Sequence, residues 1–122
     1  MYREIKVDDI TVPMLANGAT PLRYRHMFGK DLIAEFQDAE DNAVKVTDCI
    51  PELAFIMAKA AEAKDGTVDM NKLSQDDFIS WLEQFSPMGL ALAAEDIVGL
   101  YMGNAETSVE SKKNIGDQLI DD

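Results

Sequence analysis

The chain holds one cysteine and one histidine in 122 residues, and each scarcity removes a class of chemistry. A lone Cys49 cannot form an internal disulfide, which points to a reducing compartment. Cys49 and His26 together supply at most half of a structural zinc set, since such sites use four N or S ligands. Nothing flanking either residue resembles a nucleophile motif, so both read as structural or surface residues. No phosphate-cradling glycine loop, Gly-x-Ser-x-Gly or His-Glu-x-x-His occurs. No apolar run reaches the length of a membrane span, and Met1 to Lys6 has no apolar signal core; together these imply a cytosolic protein.

Positive charge is also scarce. Eleven Lys and Arg stand against 23 Asp and Glu, a net charge of -12. Residues 1 to 34 carry five basic and four acidic residues, and residues 35 to 122 carry six and nineteen. Nucleic acid and anionic membrane are therefore excluded as partners, because phosphate binding needs a basic face. No cofactor is implied.

What is present is 47% hydrophobic residues arranged for one core. Tyr2 to Val7 and Ile10 to Met14 alternate as short strands around Asp8-Asp9, with Ile5, Val7, Ile10 and Val12 available for burial. Thr20 as N-cap and Pro21 as first residue open a helix running to about Gln37, with Tyr24, Phe28 and Leu32 on one ridge and Gly29 in its interior. This helix is expected to be the element around which the rest packs. Asp38 to Asn42 reads as a breaker and Ala43 to Val46 as a third strand or a lead-in. Asp48 and Pro51 then begin a second helix that stops at Lys64-Asp65-Gly66. That stop resembles a calcium loop only superficially, because Ala61 and Ala63 occupy the first ligand positions and Lys72 the last.

Ser74 to Asp77 has the form of a capping box before Phe78, Trp81, Leu82 and Phe85. Ser86-Pro87 repeats a cap-plus-proline start, and Met88 to Met102 reads as a fourth helix, apolar almost all round. Within it Glu95 and Asp96 diverge by about 100°, so they are expected to be solvated or to partner Arg23 or Arg25 rather than share a site. The pattern predicts a mainly α fold with a small N-terminal β-hairpin and about four helices: a domain over 1 to 103 and a polar, periodless tail over 104 to 122.

The run Thr20-Pro21-Leu22-Arg23-Tyr24-Arg25-His26-Met27-Phe28-Gly29-Lys30-Asp31-Leu32-Ile33 resembles the Thr-Pro-x-x-Tyr-Arg-x-x-Phe-Gly-x-Asp-Leu-Ile pattern of tail assembly chaperones from long-tailed, non-contractile phages and prophages of Gram-positive bacteria. The likeness continues loosely through the Trp81 helix to Lys112-Lys113. It implies a non-enzymatic protein of the host cytoplasm that coats the hydrophobic tape-measure protein, helps recruit tail-tube subunits and is absent from the finished virion. It also implies a second product extended by a ribosomal slip, for which a run of A residues encoding Lys112-Lys113 would be the site.

Such a role calls for apolar surface on a charged, self-repelling carrier. The expected client surface is Met88, Leu90, Leu92, Ile97, Tyr101 and Met102; self-association is expected through Arg23, Arg25 and Lys30 meeting acidic residues of another copy. The competing class is a small acidic adaptor or inhibitor that binds a basic host protein through Asp76, Asp77, Glu83 and their neighbours.

Overall fold

A computed structural model describes residues 1–41 and 43–103, with no account of the side chains of 38–47; the expected tail lies outside the described residues. Strands β1 (Tyr2–Val7) and β2 (Ile10–Leu15) form an antiparallel hairpin in the register Ile5 to Val12 and Val7 to Ile10. Alternation buries Ile5, Val7, Val12 and Met14. Ile10, expected among them, sits in the turn-closing pair and is 37% exposed, while Met14 takes its place in the core. Asp8 makes the turn with φ of 55°.

The expected first helix is two helices. Helix α1 (Thr20–Phe28) ends because Gly29 adopts φ of 69° and donates its N–H to the Arg25 carbonyl at 2.7 Å. Glycine enters that left-handed region without a Cβ penalty. Asp31 Oδ1 then accepts from the N–H groups of Ile33 (2.9 Å) and Ala34 (3.3 Å), capping α2 (Leu32–Asp41). Thr20 is not the N-cap: Ala19 occupies that position, and the buried Thr20 hydroxyl accepts from the Asn17 N–H at 2.9 Å.

Helix α2 continues through the acidic residues expected to break it, and α3 (Ala43–Lys64) includes residues 43–46, which were the candidate strand. Pro51 is therefore inside α3 rather than in its first turn. The lost N–H bond is outweighed by burial of Cys49, Ile50, Leu53, Ala54, Phe55, Ile56, Met57 and Ala58, at about 1.5–3 kcal/mol for each large apolar side chain. With buried residues all round, α3 packs against β2, α1, α2 and the later helices. It takes the central place expected of the first helix. It ends as predicted: Gly66 has φ of 81°, its N–H bonds to the Ala63 carbonyl, and the Thr67 N–H reaches the Glu62 carbonyl.

After a 3₁₀ turn at Met70–Lys72, α4 (Gln75–Leu82) opens with the capping box: Asp77 N–H to Ser74 Oγ at 3.2 Å and Ser74 N–H to Asp77 Oδ2 at 2.9 Å. The expected last helix is divided at Ala93 into α5 (Gly89–Leu92) and α6 (Ala94–Tyr101), with Met88, not Ser86, at its N-cap. The Ala93 N–H is shared between the carbonyls of Gly89 (3.3 Å) and Leu90 (3.1 Å), a tightened turn that keeps Leu90, Ala93, Ile97 and Leu100 facing the core. A chain of ring contacts, Tyr24–Phe28–Phe78–Phe55–Trp81–Phe85, joins α1, α3 and α4 at centroid distances of 4.9 to 5.6 Å.

Candidate functional site

The residues of the 20–33 motif hold the fold together. Tyr24 is fully buried, and its hydroxyl donates to Glu52 Oε1 at 2.7 Å. Lys30 Nζ lies 3.1 Å from Glu52 Oε2 and 3.9 Å from Glu35 Oε1, tying the α1–α2 junction to α3. Burial, and then the Glu52 carboxylate, push the Tyr24 hydroxyl well above the ordinary tyrosine range. Burial and the charges of Glu35 and Glu52 raise the Cys49 thiol in the same way. For Lys30 burial works to lower the pKa, but the hydrogen bond and charge of Glu52, with Glu35, outweigh it and the ammonium is held more firmly. This arrangement keeps Tyr24 and Cys49 protonated, the opposite of nucleophile activation.

Two surface grooves flank this buried cluster. An apolar groove of about 360 Å³ runs between α3, the end of α4 and the start of α5. Its walls are Ile50 and Pro51 from α3, Leu82 and Phe85 from the end of α4 and the turn after it, and Met88, Leu90 and Ala91 from the start of α5. Met88 is 59% exposed at this wall, and Leu92, one turn on in α5, is 79% exposed. A second, more polar groove between α1 and the α3–α4 connection is lined by Arg23, His26, Asn71 and Gln75. Arg23 donates to Asn71 Oδ1 at 3.2 Å there, and Gln75 Nε2 donates to the Met27 carbonyl at 3.1 Å.

The structure does not gather the expected client surface into one face. Leu90 and Ile97 are 6% and 0% exposed, so both belong to the core, although the edge of Leu90 lines the apolar groove. Tyr101 is half-buried with its ring against Phe36 at 5.5 Å. Met88, Leu92 and Met102 are the exposed members. Among the expected self-association residues, Arg25 is exposed and Arg23 half-buried, whereas Lys30 is engaged by carboxylates of its own chain. Asp96 pairs with Arg3 at 3.3 Å rather than with Arg23 or Arg25, because β1 lies against α6.

No protein-family model, curated protein or solved structure matches this chain. Among the described residues no group of three or more His, Cys, Asp or Glu is placed to hold a metal, and no helix is long and apolar enough to cross a membrane. His26 is exposed on α1, and Cys49 is buried in α3.

Reading the sequence alone missed Ile50, Pro51, Leu82 and Phe85 as groove residues. Their periodicity marks them as apolar helix faces, and only the packing of α3 against α4 and α5 leaves one edge of those faces open.

Proposed function

We propose that the protein is a phage tail assembly chaperone. It works in the host cytoplasm, binds and solubilises a tape-measure protein, helps recruit tail-tube subunits and does not remain in the mature virion. The observation that carries this reading is the apolar groove between α3, α4 and α5, with Met88 and Leu92 exposed at and beside its wall on a chain of net charge -12. An apolar stripe of a client helix fits such a groove, and a methionine at the rim adapts to varied client side chains. The strong negative charge keeps the carrier and its cargo dispersed. Self-association through Arg23 and Arg25, and a slip-extended second form, belong to the same proposal.

Mixing the full chain with overlapping tape-measure fragments and separating by size tests the reading. A complex is expected with at least one fragment, and Ala91→Asp, at an exposed groove position, is expected to weaken it more than tenfold. The absence of any complex, or full binding by the Ala91→Asp variant, overturns the assignment. A second reading, an acidic adaptor for a basic protein, is favoured by the exposed carboxylates Asp76, Asp77 and Glu83 on and just after α4. Salt separates the two, since charge-driven capture falls steeply with ionic strength and apolar capture does not.

A further inference from the structure

The wall of the apolar groove is tied to the hairpin turn by one carboxylate. Asp8 Oδ2 accepts the Ser86 N–H and Asp8 Oδ1 accepts the Ser86 hydroxyl, both at 2.8 Å, across 78 residues of sequence. The Ser86 carbonyl in turn accepts the Gly89 N–H at 3.0 Å, so Ser86 is held from both ends. Pro87, with its restricted φ, lies between Ser86 and Met88 and stiffens the link. At Gly89 the fit is close: a Cβ there would lie 2.8 Å from Asp8 Oδ2, so the carboxylate occupies space that any other residue would fill. Asp8 itself stands at φ of 55°, a conformation uncommon for a residue with a side chain. Its carboxyl is held below the usual range, chiefly by the Ser86 N–H and then by the Ser86 hydroxyl.

We propose that Asp8 is the positioning residue of the docking groove: the hairpin turn acts as a clamp that sets the place of Ser86–Leu90, and through it the depth of the groove and the presentation of Met88. This rests on the groove being the client site. Asp8 and Ser86 are both exposed, so the clamp contributes little to global stability. Its effect is local. It holds a four-residue helix and its lead-in, which have few backbone bonds of their own, in the geometry a client meets.

Three variants of the full chain test the clamp. Asp8→Gly removes the carboxylate and leaves a residue that adopts positive φ freely, so the hairpin turn is retained. Gly89→Ala displaces the carboxylate from the other side. Asp8→Asn keeps an acceptor for the Ser86 N–H and a group for its hydroxyl. Amide exchange of Gly89 to Ala93 is expected to quicken about tenfold in Asp8→Gly and Gly89→Ala, with α3 and hairpin amides unchanged and Asp8→Asn near the parent. Any tape-measure fragment that the parent captures is expected to bind the first two variants several-fold more weakly. The clamp is overturned if the α5 amides of Asp8→Gly exchange as in the parent, or if the acceleration spreads equally over α3 and the hairpin. Where no fragment binds the parent, the client reading falls and the exchange pattern still judges the clamp.

Discussion

Replacing Tyr24 by Phe removes one oxygen from a largely buried contact between α1 and α3, and its consequence can be worked out. The Tyr24 side chain is fully buried, its hydroxyl is 2.7 Å from Glu52 Oε1, and the Glu52 side chain is 12% exposed. Hydrogen bonds to a charged acceptor contribute about 1.5–3 kcal/mol. Phe fills the same space, so no cavity term is added, and Glu52 keeps Lys30, which places the cost near the lower bound at about 1.5–2 kcal/mol. For a domain of this size that lowers Tm by about 6–9 °C. Lys30 is 36% exposed and its pair with Glu52 is screened, so Lys30→Met is expected to cost less than about 1 kcal/mol. Urea unfolding followed by the buried Trp81 measures both, and a Tyr24→Phe/Glu52→Gln double-mutant cycle isolates the coupling.

The same contact has a pH signature. Because the folded-state pKa of Tyr24 is raised above 10.0, its contribution is complete below pH 10 and is lost as the pH rises further and the unfolded chain ionises. Tyr24→Phe should therefore flatten the fall of stability above pH 10. A variant within about 0.3 kcal/mol of the parent at neutral pH, or an unchanged alkaline slope, would refute the assignment of Tyr24 as the tie between α1 and α3.

Two further substitutions test the account of the fold. Gly29→Ala forces a Cβ into the left-handed position at φ of 69° and is expected to cost about 1–2 kcal/mol in urea unfolding, although no atom lies within 4 Å of the new Cβ. Ile97→Ala should cost about 2–5 kcal/mol and Leu92→Ala less than about 0.5 kcal/mol, because the first side chain is fully buried and the second is 79% exposed.

Local hydrogen bonding made several elements legible in advance. The Ser74–Asp77 box, the Gly66 stop and the Asp8-Asp9 turn each close within a few residues, so residue type and spacing suffice to mark them. Gly29 and Asp31 carry equally local signals, but the four-residue recurrence of Tyr24, Phe28 and Leu32 bridges them and reads as one helix. Both residues flanking the break are apolar and buried or half-buried, so hydrophobic pattern alone does not reveal it. Asp48 and Pro51 misplace the start of α3 for the opposite reason: the local cap signal is overridden, and Pro51 is tolerated inside a helix that buries Cys49, Ile50, Leu53 and Ala54 around it.

The amino-acid sequence by itself determined the α-rich class, the hairpin, the α3 stop at Gly66 and the excess of negative charge, since these depend on composition and on bonds between near neighbours. Tertiary structure alone decided that α3 is the centre, that Leu90 and Ile97 are core while Met88 and Leu92 are surface, and that Asp8 reaches Ser86. Those outcomes depend on which apolar faces cover one another, and periodicity records that a residue is apolar without recording what lies against it.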